Sequence, residues 1–93
     1  MGQIDRPDGQ ALAELDRALF ETYQHRCVGC LINKAVCIHE IGPRSKHPAD
    51  WFQPSNRVPL CSACHDRVHS EGTEASTPWL YSQREMLLRL IYG

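Results

Sequence analysis

Two C-x2-C pairs, Cys27-Val28-Gly29-Cys30 and Cys61-Ser62-Ala63-Cys64, constrain this chain more than any other feature. Four thiolates in two such knuckles can surround one ion as a tetrahedron, the arrangement a structural Zn²⁺ asks for. At 93 residues the chain makes a single small domain, which buries little of its surface unaided, so a staple of this kind is expected. Met1-Gly2-Gln3-Ile4-Asp5 lacks a basic-then-apolar signal pattern, and no apolar run approaches the roughly 18 residues that span a bilayer. A cytoplasmic location without membrane association is therefore expected, with reduced cysteines that bind metal rather than form disulfides. Cys37, the fifth, reads as a small buried strand residue.

Helical spacing of Ala11, Leu12, Leu15, Ala18, Leu19 and Tyr23 predicts an amphipathic helix over about 9–24, capped by Asp8 after a frayed tail at 1–8. Its polar face, with Glu14, Asp16, Arg17 and Glu21, reads as solvated surface. Gly29 is expected to relieve the backbone of the first knuckle. Ala35–Ile41 reads as a strand that sends His39 and Glu40 to opposite faces. A long ordered loop follows over 42–55, pinned by Trp51 and Phe52, and then a short strand at 56–60 with Pro59 at an edge. A short helix is expected from Cys64 to about Ser70, stopped by Gly72, with His65 and His69 one turn apart on one face. Thr77-Pro78 reads as the start of a last helix running to about 92. Trp79, Leu80, Met86, Leu87, Leu90 and Ile91 give that helix a broad apolar side. Packing on the core makes a monomer, and a homodimer through the same helix is the alternative.

Charge is distributed unevenly. The formal net charge is -1, but residues 22–70 carry six bases against three acids, leaving the excess acids at the two ends. The centre is thus the part suited to an anionic partner. A second set of metal-type residues lies there: His39 and Glu40, then His65 and His69. Three imidazoles on one divalent ion leave coordination positions open for water and a substrate oxygen, as a catalytic site requires. His25 lies outside this pattern and reads as an exposed residue at a helix end.

The run Leu60-Cys61-x-x-Cys64-His65-x3-His69, with Asn56 five residues before Cys61 and His39-Glu40 on the preceding strand, resembles the HNH endonucleases. It resembles in particular those members whose ββα-metal core is bracketed by C-x2-C pairs. The resemblance covers residues 27–69 and leaves both flanking helices outside it. It implies a small α+β fold, a ββα-metal core with zinc knuckles and one helix on either side. It also implies that Cys27, Cys30, Cys61 and Cys64 hold a structural Zn²⁺, while His39, His65 and His69 hold a catalytic ion, Mn²⁺, Mg²⁺ or Ni²⁺. Zn²⁺ at this second site would inhibit by binding too tightly.

On the same grounds Asn56 would tie the loop to the strand, and Arg44 would meet the scissile phosphate. Arg44, Lys46, Arg57 and Arg67 are the expected nucleic-acid contacts. Glu40 departs from the family pattern, standing where a general-base histidine is usual. A carboxylate with an ordinary pKa of about 4.3 is a weaker base than imidazole near neutrality. Glu40 is the expected base by register; the alternative is Glu40 as a fourth metal ligand with His47 in the loop as the base. The implied activity is a metal-dependent DNA endonuclease, a nickase of weak intrinsic specificity that depends on an accessory protein for more. A non-catalytic zinc-knuckle module binding nucleic acid or protein is the competing reading.

Overall fold

The structure is a computed structural model that describes residues 7–93, so most of the tail expected over 1–8 lies outside the described residues. Among the described residues three helices and a two-stranded antiparallel sheet make a small α+β arrangement. Helix α1 spans Gly9–Thr22, and the Asp8 carboxylate caps it by accepting from the Ala11 N–H at 2.8 Å. Gln24 and His25 then take left-handed backbone angles, φ 54 and 60°, which end the helix sooner than its apolar spacing predicts.

Strand β1, Cys37–Glu40, pairs with β2, Arg57–Leu60, in the register Cys37 to Leu60 and Glu40 to Arg57. Both are shorter than predicted. Asn56 belongs instead to a short 3₁₀ turn, Pro54–Asn56, that delivers the chain to β2. Pro59 fits the sheet because its carbonyl faces the first knuckle, accepting from the Val28 N–H at 2.9 Å, so its missing donor leaves no gap in the ladder with β1.

Helix α2 spans Ser62–Glu71 and begins two residues earlier than expected, because Cys61 already occupies the N-cap position and its carbonyl accepts from the His65 N–H at 2.9 Å. Gly72, at φ 88°, ends it as the sequence predicts. Helix α3, Thr73–Tyr92, departs further from expectation. It starts at once after Gly72, and Pro78 lies inside it rather than at its first position. Thr77 is accordingly no cap; its hydroxyl donates back to the Thr73 carbonyl at 2.7 Å, and Ser76 does the same to Gly72 at 2.8 Å. The Glu74 carbonyl that Pro78 leaves without an amide belongs to an exposed residue open to water.

Leu19, Tyr23, Val28, Ile41, Val58, Leu60, Val68, Leu80 and Leu87 form one core around the cysteines. Met86 and Leu90, expected on the packed side of α3, are exposed. No helix among the described residues is long and apolar enough to cross a membrane.

The 42–55 loop is ordered by Trp51, which is buried, and by Asn56. The Asn56 side chain accepts from the Gly42 N–H at 2.7 Å and donates to the carbonyls of Gly42 and Trp51 at 3.1 and 3.0 Å. Asn56→Ala abandons three backbone groups, two part-buried at Gly42 and one buried at Trp51, and is expected to cost about 2–4 kcal/mol in denaturant unfolding. Asn56→Asp should recover little of that loss, since a carboxylate can accept from Gly42 but cannot donate to either carbonyl.

Candidate metal centre and histidine cluster

The four cysteines meet. One ligand atom from each of Cys27, Cys30, Cys61 and Cys64 lies within 4.8 Å of every other. Sulfurs at the corners of a zinc tetrahedron with bonds of about 2.3 Å stand about 3.8 Å apart, so the cluster needs only a small contraction to close on an ion. Cys27, Cys61 and Cys64 are buried, which shields such an ion from water. The four residues fit a structural Zn²⁺.

Gly29 serves this knot in a way its sequence position does not reveal. Its backbone is not among those with positive φ; in that turn Leu31 takes the left-handed conformation, at 66°. A Cβ on Gly29 would instead lie 2.8 Å from Cys64 Sγ and 3.0 Å from the Trp79 ring. The absent side chain lets α2 and α3 close over the knuckle, and Gln83 of α3 fixes the approach by donating to the Gly29 carbonyl at 2.8 Å.

Without metal the thiols titrate apart. Burial works against charge at Cys61, yet the Cys64 backbone N–H and the Asn33 amide, 3.6 Å from its sulfur, bring it down to about 6. Burial raises Cys27. Burial also raises Cys64, helped by its hydrogen bonds to Cys27 and Cys61. Loading an ion must therefore expel protons held by Cys27 and Cys64, and below about pH 6 one from Cys61 as well. Zinc affinity is expected to fall with acidification and to fall more steeply below about 6. Chelator competition between pH 8 and 5 measures this, and a flat profile would contradict it.

Helix α2 extends from the knot to a second cluster. The N-cap Cys61 and Cys64 hold its first turn, and His65 and His69 follow on one face. Their Nε2 atoms are 3.1 Å apart. His39 reaches them from β1, its ring centroid 6.0 Å from that of His65 and 6.2 Å from that of His69. The three rings thus face one another, but among the described residues only the four cysteines bring three or more ligand atoms within 4.8 Å of one another. Burial lowers the pKa of His39, and its two imidazole neighbours lower it further, so its ring is neutral at pH 7 with a lone pair available.

Glu40, next along β1, turns to Arg44 instead. Arg44 forks onto the carboxylate, with Nε 3.0 and 3.2 Å from the two oxygens and Nη2 at 2.9 Å. The guanidinium also lies 3.7 Å over the Trp51 ring, a contact the sequence reading gave only a pinning role. The Glu40 hydrogen bond raises the Arg44 pKa above its already high value. His47 folds back from the loop: a Cβ on Gly42 would run into its ring, and Nδ1 is 3.4 Å from Asp50.

Two of the expected nucleic-acid contacts are otherwise engaged. Arg57 does not face solvent: its side chain is 4% exposed and is ion-paired with Asp16 of α1, an acid read from the sequence as surface. Its partner carboxylate comes from 41 positions away, so no local pattern discloses the pair. Arg67 pairs with Glu71 at 2.8 Å and stacks 4.1 Å over Trp79. Lys46 is exposed, and Cys37 is half-buried with its thiol 3.5 Å from the Leu60 carbonyl. Comparison with protein-family models, curated proteins and solved structures returned no match.

Proposed function

We propose that this chain is a metal-dependent DNA endonuclease of the HNH type that nicks phosphodiester backbones with weak intrinsic sequence preference. The observation that carries the reading is the convergence of His39 from β1 with His65 and His69 from α2, beside a four-cysteine knot that fixes the same helix. Two imidazole nitrogens sharing one ion at about 2.1 Å stand about 3.0–3.4 Å apart, which the His65–His69 separation of 3.1 Å matches. A divalent ion held there, Mn²⁺, Mg²⁺ or Ni²⁺, would supply Lewis acidity to a phosphate oxygen.

The chain's own residues divide the remaining work. Arg44, stacked on Trp51 at the loop edge, moves from Glu40 to the charge growing on the phosphate. Its departure frees both carboxylate oxygens, and Glu40 takes the proton of the attacking water. Asn56 keeps the loop in register with the strand end so that these two groups stay aligned.

The fork between Arg44 and Glu40 favours a second assignment of the base, His47, whose ring lies over Gly42 two residues beyond Glu40. Supercoiled plasmid incubated with the zinc-loaded protein and added Mn²⁺ or Mg²⁺ should become relaxed. Glu40→Gln should slow nicking by about 10²–10⁴-fold, the usual worth of a positioned base. Full activity in Glu40→Gln with its loss in His47→Ala moves the base to the loop. No relaxation with any ion leaves the non-catalytic zinc module.

A further inference from the structure

Beside the zinc knot, on a face the nuclease reading does not use, lies a groove of about 290 Å³ lined by Gln24, His25, Arg26, Ile32, Asn33 and Lys34. Arg26 and Lys34 stand directly opposite each other in an isolated antiparallel bridge. Like charges in that position repel, and neither has an acidic partner within ion-pair distance among the described residues. No carboxylate lines the groove. Two exposed cations on facing positions of a bridge suit an anion between them.

The groove is firmly mounted. Cys27 N–H donates to the Asn33 carbonyl and Ala35 N–H to the His25 carbonyl, both at 2.8 Å, while the Asn33 side-chain amide reaches Cys61 Sγ. Gln24 and His25 keep left-handed backbones, at φ 54 and 60°, a conformation that costs energy in residues other than glycine and collects at ligand clamps. The lining supplies guanidinium, ammonium and amide donors, the set that proteins direct at phosphate and sugar oxygens. Ile32, 83% exposed, offers an apolar surface for a sugar or base.

We infer that this groove binds a phosphodiester segment of DNA and anchors the substrate outside the cleavage site. The inference rests on the nuclease reading for its choice of anion. Arg26 and Lys34 each neutralise one phosphate, so the pair accounts for about two released counterions.

The test is fluorescence anisotropy of a labelled duplex with the zinc-loaded protein, no added divalent ion and a series of salt concentrations. An Arg26→Gln, Lys34→Gln double variant should show a log affinity against log salt slope shallower by about 1.8, and Lys34→Gln alone by about 0.9. Arg89→Gln, on the exposed side of α3, should keep the wild-type slope. Zinc content and circular dichroism confirm folding of each variant. An unchanged slope in the double variant overturns the inference, as does binding of polyglutamate that the double variant loses while its DNA affinity is intact. Plasmid relaxation separates the two readings. A shifted slope without cleavage by the wild type keeps the groove and removes catalysis; cleavage with an unshifted slope does the reverse.

Discussion

Cys64→Ser is expected to abolish zinc retention and, with it, the cooperative thermal transition of the chain. A structural zinc contributes about 10–16 kcal/mol at pH 7, comparable with the whole stability of a domain, about 5–15 kcal/mol. Here the ion would join the first knuckle, the end of β2 and the start of α2, while α3 leans on the same point through Trp79 and Gln83. Apolar residues from all three helices and the sheet pack around these cysteines. Without the ion, buried thiols of raised pKa sit at the centre of the domain, joined only by weak hydrogen bonds among themselves. Metal analysis and a circular dichroism melt measure the outcome. A variant that melts at the wild-type midpoint would show that the knot is not what holds the fold.

His65→Ala should have the complementary effect, leaving the fold and its zinc in place while removing catalysis. The ring is half-buried and faces other imidazoles, so truncation is expected to cost no more than about 1 kcal/mol of stability. On the nuclease proposal His65 is one of three ligands to a Lewis-acidic ion, and its loss should lower plasmid nicking by about 10³-fold or more, equivalent to about 4 kcal/mol of transition-state stabilisation. His39→Ala should behave alike despite coming from the other end of the motif. Cleavage by both variants at wild-type rate would detach these histidines from the chemistry.

The parts of this architecture legible in the sequence are those fixed by short-range spacing. A C-x2-C pair determines its own turn, and His65 and His69, four apart on a helix, necessarily share a face. The tie of Asn56 to the loop is expected from the resemblance to HNH endonucleases and not from spacing. What escaped the sequence depends on partners far apart along the chain. The close approach at Gly29 requires α2 and α3 to be already docked, and the burial of Arg57 requires Asp16 from α1. Local preference also misplaced the start of α3: Thr-Pro is a common helix opening, but Gly72 had already turned the chain, and Ser76 and Thr77 stabilise the early turn themselves. The Arg44–Glu40 fork joins a strand end to the loop that follows it, a pairing that periodicity does not encode.

Titration of the zinc-loaded protein with Mn²⁺, followed by the electron paramagnetic resonance signal of the free ion, tests the three-imidazole site most directly. On the nuclease proposal one Mn²⁺ per chain binds beyond the knot, and it is lost in His39→Ala and in His65→Ala with zinc content unchanged. Equal free Mn²⁺ in the wild type and both variants would contradict it.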